Sequence, residues 1–198
     1  MAFNISDFRQ NGLSRGGQRP SLFMVSLTLP PAVGQPAGFQ QKFSFTCSAT
    51  QLPASTIGQV EVPYFGRKIK LAGDRTFSDW QVNVFCDEDF LVRDTLEYWS
   101  NQINQHVGNL QMVDNNDYKT DGDVTMYSKT GAGPLKAYVY RGVWPMEVSA
   151  TELNWDAVNQ VMTFTSTFSV DWFEPLTSAS GVSIDTGSPG NSFLAVPA

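Results

Sequence analysis

The chain has 198 residues, 41% of them hydrophobic and 13% aromatic, enough for one domain with a core of its own. Only 16% are charged, against roughly 25% in an ordinary soluble domain, and the net charge is −6; this fits a protein that hides surface against neighbours and gives a weak footprint for phosphate binding. No run approaches the roughly 20 apolar residues of a bilayer span, and no signal peptide opens the chain, so no membrane anchor is expected.

The charge is unevenly spread. Residues 1–80 carry eight Lys/Arg against four Asp/Glu, and residues 81–198 carry five against fifteen. If the two halves of the sequence form two faces, like copies are steered head to tail rather than face to face. Cys47 and Cys86 fall at apolar positions of strand patterns and read as reduced core residues.

Residues 1–19 are polar and Gly-rich and read as an arm. They hold Gly12-Leu13-Ser14-Arg15-Gly16, a formal match to the hydrolase nucleophile elbow. That motif needs a buried strand before the serine and a helix after it, and neither pattern is present. Arg9, Arg15 and Arg19 read as neighbour contacts or solvated groups. Residues 22–29 predict a strand with Phe23, Val25, Leu27 and Leu29 on one face. Pro30, Pro31, Gly34, Pro36 and Gly38 make a loop. Phe39, Phe43, Phe45 and Cys47 then alternate with Gln40, Lys42, Ser44 and Thr46, which predicts a half-buried strand.

The central block begins at Leu52. Val60, Val62 and Tyr64 alternate with Gln59, Glu61 and Pro63; Gly66 supplies a turn, and Arg67-Lys68-Ile69-Lys70-Leu71 returns, with Gly73-Asp74 closing the unit. A protruding hairpin over 59–71 follows. Pro63 cannot donate to a ladder, so the hairpin belongs at an edge or outside the sheet. Its basic limb fits edge protection, and the Tyr64-Phe65 pair fits an interface. Trp80, Val82, Val84 and Cys86 predict a strand. A single helix is expected over 87–107, with Asp87 as N-cap and Glu88 and Asp89 in its first turn. Val92, Leu96, Trp99 and Ile103 form its apolar stripe, Asp89/Arg93 and Arg93/Glu97 are spaced for ion pairs, and Gly108 stops it.

Residues 114–123 are polar and read as a surface loop. A calcium loop starting at Asp117 would put Lys119 and Ser128 where carboxylates belong, so it fails. Residues 123–129 and 135–143 predict strands joined by Gly131-Ala132-Gly133-Pro134, with Trp144-Pro145 breaking the second and 146–148 resuming it. Residues 152–160 read as a polar connector. The longest strand follows, with Met162, Phe164, Phe168, Val170 and Trp172 facing one way and Thr163, Thr165, Thr167 and Ser169 the other. From Pro175 a Ser/Gly/Thr-rich tail, 175–198, reads as loop ending in Phe193-Leu194-Ala195-Val196. The whole is a mostly β single domain over 1–198, a barrel or sandwich of about seven to nine strands with one flanking α-helix.

Chemistry is sparse. His106 is the single histidine, and Asp87-Glu88-Asp89 is the densest acidic group. Successive helix residues point about 100° apart and cannot converge on one metal. No catalytic residue, metal site or cofactor is expected. The open readings are a structural assembly protein and a monomeric nucleic-acid-binding β-barrel.

The block Leu52-Pro53-Ala54-Ser55-Thr56-Ile57-Gly58, Glu61-Val62-Pro63-Tyr64-Phe65-Gly66-Arg67-Lys68-Ile69-Lys70, Ala72-Gly73-Asp74-Arg75-Thr76-Phe77, Trp80 and Asp87-Glu88-Asp89-Phe90 resembles the tail tube proteins of contractile-tailed, T4-like bacteriophages. The resemblance implies the phage tail tube fold and a virion protein, assembled in the host cytoplasm, that forms hexameric rings stacked into a conduit for DNA. It also implies sheath, tape measure, baseplate and tail terminator as partners. Tubes of phage-derived contractile injection systems are similar and stand as the alternative.

On that reading Val60, Val62, Pro63, Tyr64, Phe65, Gly66, Arg67, Lys68, Ile69 and Lys70 form the inter-ring hairpin, and Asp87, Glu88 and Asp89 cap a helix or meet a neighbour. A lining that lets DNA pass must not hold phosphate, so it is neutral or acidic. Gln40, Ser44, Thr46, Thr163, Thr165 and Thr167 are the candidates, with Lys42 the awkward member of its face.

Overall fold

The computed structural model describes residues 4–13, 16–114, 117–131 and 133–178, with the side chains of Thr177 and Ser178 excepted. Ser14 and Arg15 of the elbow-like motif, Ala132, and the tail from 179 to 198, including Phe193-Leu194-Ala195-Val196, lie outside the described residues.

Nine strands and three α-helices are described. A short helix α1 (Ile5–Asp7), N-capped by the Asn4 side chain, runs into a wide helical turn (Phe8–Gly12), all of it exposed. The strands are β1 (Phe23–Leu27), β2 (Cys47–Thr50), β3 (Ser55–Tyr64), β4 (Arg67–Phe77), β5 (Trp80–Phe85), β6 (Thr120–Tyr127), β7 (Pro134–Val148), β8 (Thr163–Ser169) and β9 (Trp172–Ser178). Seven of them join in one sheet of order β1-β6-β7-β8-β5-β2, with β9 added to β7. Strands β3 and β4 pair only with each other, as a ribbon outside that sheet.

Strand β7 organises the sheet. Its first half pairs with β6 on one side and β9 on the other; its second half pairs with β8. The change of partner falls at Gly142, whose φ of +67° is open to glycine at little cost. A Cβ there would also meet the Asp171 carboxylate at 2.2 Å. The expected break at Trp144-Pro145 is absent: β7 runs through both to Val148. Pro145 sits beside a register irregularity, where a missing N–H is tolerated.

The two halves of the sheet share one core, filled by alternation along the strands. Trp80, Val82 and Val84 are buried while Gln81, Asn83 and Phe85 are exposed. Val25 and Leu27 of β1, Val124 of β6, Tyr140 and Val143 of β7, and Phe164 and Phe168 of β8 complete the cluster. The Trp80 ring stacks on Tyr140 at 4.6 Å and lies over Gly122, where a Cβ would meet it at 2.6 Å.

Two helices close the core. Helix α3 (Leu91–Ile103) buries Val92, Leu96 and Trp99, the stripe read from the sequence, and the Trp99 Nε1–H donates to the Tyr118 carbonyl at 2.9 Å. The second, α2 (Phe39–Thr46), replaces the strand expected over 39–47. Phe39 and Phe43 are both buried, stacked at 5.8 Å and four residues apart, whereas Phe45 is exposed. An alternation of aromatics within eight residues satisfies both periods, and only the four-residue step faces the core. Gly38, at φ +84°, lets the chain enter this helix.

Other boundaries shift. Helix α3 begins at Leu91 rather than Asp87, with Phe90 at its N-cap in a left-handed conformation. Strand β6 begins at Thr120, inside the expected polar loop. The expected long strand from Met162 to Trp172 divides at Val170-Asp171: β8 stays in the second half of the sheet, and β9 turns back onto β7. Pro175 therefore lies within a strand and not in a loop; β9 is an edge, where its missing N–H is harmless. Cys47 and Cys86 are free thiols, and burial pushes the Cys47 thiol up to about 12, so it stays protonated.

Candidate functional site

The hairpin is longer than expected. Residues 59–71 are its outer part; the ladder runs from Ser55↔Phe77 to Tyr64↔Arg67, with an irregularity between Ile57 and Gln59. There Gly58 and Gly73 meet closely: a Cβ on Gly73 would lie 3.2 Å from the Gly58 carbonyl. Its root is tied down by the Ser78 N–H to the Ala54 carbonyl at 3.0 Å and by the edge contact of Phe77 with Phe173 at 5.4 Å. The turn is Phe65-Gly66, both at positive φ (42° and 78°), as in the mirror-image turn that matches strand twist.

Register sorts the ribbon into two faces. Val60↔Leu71, Val62↔Ile69 and Tyr64↔Arg67 share one; Glu61↔Lys70 and Pro63↔Lys68 share the other. The polar face carries an ion pair, Lys68 Nζ to Glu61 Oε2 at 2.6 Å. The apolar face is uncovered: Val60, Val62, Tyr64, Ile69 and Leu71 are all exposed, and Phe65 at the tip is 90% exposed. A phenylalanine at positive φ costs about 1–2 kcal/mol. Among the described residues nothing offsets this, because the Phe65 ring stacks only with its neighbour Tyr64, edge-on at 4.7 Å. A two-stranded ribbon with an open apolar face is marginal in water and is stabilised when a partner covers it.

The acidic trio has another role than the one expected. Asp87 and Asp89 both pair with Lys42 of α2, Asp87 Oδ2 at 2.5 Å. Lys42 holds both carboxyls below the usual carboxylate range, and they in turn raise its own pKa. Asp89 also accepts from the Leu91 N–H at 3.1 Å, the first amide of α3. The expected Asp89/Arg93 pair is replaced by Lys42, whereas Arg93–Glu97 forms at 2.7 Å. Glu88 is exposed. This cluster is a clasp between two helices, and a Lys42 neutralised in this way is no longer an awkward free cation.

The hydroxyl candidates separate. Thr163, Thr165 and Thr167 stand on the same side of β8, Thr163 exposed, Thr165 half-buried and Thr167 buried. In register beside them are Phe85, Asn83 and Gln81 of β5, with Glu147 of β7 next to Thr167. Thr165 Oγ1 and Asn83 Oδ1 are 2.7 Å apart. The positions paired there include no Lys or Arg. Gln40, Ser44 and Thr46 are not part of this face. Gln40 and Ser44 line a groove on α2 with Met24, Ser26 and Phe45, and Thr46 Oγ1 bonds back to the Lys42 carbonyl at 2.8 Å.

One surface escaped the sequence reading. The connector over 152–160 reads as polar, yet Leu153, Trp155, Val158 and Val161 are all strongly exposed and Trp155 fully so. These four apolar residues follow neither a strand nor a helix period, so no pattern marked them. Among the described residues no group of three His, Cys, Asp or Glu could hold a metal ion, and no helix is long and apolar enough to cross a membrane.

Residues 18–174 match the phage tail tube protein family. The chain is 33% identical over 160 residues to the tail tube protein of Enterobacteria phage T4, covering 79% of this chain and 90% of that one. It is 23% identical over 163 residues to the tail tube protein of Serratia phage KSP90, covering 81% and 90%. Among solved structures, the tube terminating cap of the anti-feeding prophage superposes with a TM-score of 0.58 at 14% identity, covering 82% of this chain and 92% of that one. A chain of the extended sheath-tube complex of an extracellular contractile injection system gives 0.52 at 13%, covering 88% and 98%.

Proposed function

We propose the role of this chain from one premise: it belongs to the phage tail tube protein family, which is structural and not enzymatic. Copies of the chain close into hexameric rings, and the rings stack into the inner tube of a contractile tail through which DNA leaves the virion. The observation that carries this reading is the β3–β4 ribbon, which stands outside the sheet with its apolar face and aromatic tip open. Such a face suits a copy in the adjacent ring better than solvent.

Ring closure uses the sheet edges. β1 and β2 end the strand path and β9 flanks β7, so each offers unpaired backbone groups to a neighbouring copy. Pairing them around a ring removes the edges, as closure does in any barrel. The face of β8 and β5 with Thr163, Thr165, Thr167, Gln81 and Asn83 is the lining this reading favours. Hydroxyls, amides and a carboxylate do not hold phosphates by releasing their counterions.

Sheath, baseplate, tail terminator and tape measure protein are the partners that follow for a tube in a virion tail, built in the host cytoplasm. One solved relative in fold comes from a sheath-tube complex and another from a sixfold-symmetrised baseplate, which supports the first two. The relatives of higher identity are phage proteins, which favours a phage tail over a phage-derived injection system.

The test is negative-stain microscopy of the purified chain alone, with sedimentation. Rings and tubes are expected. Arg67→Glu with Lys68→Glu is expected to leave rings and shorten tubes, and long tubes from that variant would remove the hairpin from the stacking contact. A chain that stays single at high concentration and shifts duplex DNA with steep salt dependence would replace the tube with a nucleic-acid-binding monomer.

A further inference from the structure

We propose that the β7–β8 loop, residues 150–162, is the surface that receives the β3–β4 hairpin of the next copy. The proposal rests on the tube reading and names the two surfaces that meet between rings.

The topology puts these surfaces at opposite ends of one strand. β5 starts at Trp80, just after the hairpin root at Phe77 and Ser78, and its Trp80↔Phe168 pair marks that end of the sheet. Its other end is Phe85↔Thr163, and Thr163 is the residue at which the loop rejoins β8. Six strand residues span about 20 Å. Hairpin and loop therefore join the sheet at opposite ends, as a head-to-tail, heterologous contact that repeats without limit requires.

The loop is held in shape for such a contact. Asn154 closes a turn on itself: its carbonyl accepts from the Ala157 N–H at 3.2 Å and its Oδ1 from the Asp156 N–H at 2.9 Å. That turn places Trp155 at its apex, fully exposed beside Leu153. The guanidinium of Arg93 on α3 fixes the loop's start through Thr151 Oγ1 at 3.0 Å. An ordered, outward tryptophan loses little entropy when covered and is the side chain most often central to binding energy.

Charge and polarity match as well. The loop carries Glu152 and Asp156 and no Lys or Arg; the hairpin carries Arg67 on its apolar face, and Lys68 and Lys70 on the opposite one. Trp155 and Leu153 would give the Val62, Ile69 and Phe65 side apolar cover, and Glu152 and Asp156 beside them would meet Arg67 on that same face. Two hairpins, or two loops, would repel each other and leave no such match, so the contact has one polarity.

Sedimentation of three variants tests this, each first shown by circular dichroism and urea denaturation to fold as the wild type does. Trp155→Ser is expected to raise the concentration for half-assembly at least tenfold. Glu152→Lys with Asp156→Lys is expected to stop stacking while rings persist. Adding Arg67→Glu and Lys68→Glu to that pair is expected to restore tubes. Wild-type tube lengths from Trp155→Ser or from Glu152→Lys with Asp156→Lys, or no recovery in the quadruple variant, would overturn the assignment while leaving the tube standing. A wild-type chain that makes neither rings nor tubes overturns both.

Discussion

Trp80 and Tyr140 stack at 4.6 Å across two strands that are not neighbours, and each gives its polar hydrogen to the same short stretch: Trp80 Nε1 to Thr50 Oγ1 at 2.8 Å, Tyr140 Oη to the Gln51 carbonyl at 2.9 Å. The pair thus joins both halves of the sheet to the segment that leads into the hairpin. Gly122 leaves the space for it, with the position of a Cβ only 2.6 Å from the indole. Gly122→Ala is expected to destabilise the subunit by about 1–3 kcal/mol, as overpacking does. Tyr140→Phe, which orphans one acceptor, costs about 1 kcal/mol. Urea denaturation of the unassembled chain measures both, and an unchanged midpoint for Gly122→Ala would mean the ring does not sit there.

The hairpin behaves differently from the core. Val62 and Ile69 face each other on the ribbon and are both exposed. Val62→Ser with Ile69→Ser is expected to shift subunit stability by no more than about 0.5 kcal/mol and yet to abolish long tubes. A large loss of stability in the unassembled chain would show that the face is covered within the protomer.

The Lys42 clasp gives a pH signature. Asp87 and Asp89 lie below their ordinary 3.8 when folded, so their contribution is complete above that value and fades as pH falls through the lowered values. Lys42 lies above 10.5, so its contribution is complete below that value and fades as pH rises past it. Lys42→Met is therefore expected to be less stable than wild type at neutral pH, with the gap closing as pH falls below 3.8 through the lowered values. Denaturation midpoints of the two proteins across that range decide it; a constant gap would mean the carboxylates do not sense the lysine.

The lining assignment can be tested by adding charge. Thr163→Lys with Thr165→Lys on that face of β8 is expected to leave tubes intact and to make them retain short duplex DNA. Retention should weaken with salt, the log–log slope steepening by about 0.9 for each phosphate that the new lysines neutralise. Co-sedimentation at low and high salt reads this directly. Tubes that ignore DNA would place this face away from the channel.

Local patterning carried most of the fold because burial on one face imposes a period that short-range sequence must obey. Val82 and Val84 against Gln81 and Asn83, and Val92, Leu96 and Trp99 along α3, are one-sided and were legible for that reason. The ordered block from Leu52 to Phe90 placed the chain among tail tube proteins, since so long a run is seldom matched by chance. What only the tertiary structure decided is where two periods compete or none applies. Phe39, Phe43 and Phe45 fit a strand or a helix until the core accepts the first two and leaves the third in solvent. Gly142 let β7 serve two partners, which no single-strand pattern encodes. Trp155 has no period at all; its exposure is set by a turn that Asn154 closes, with no facing surface among the described residues to cover it.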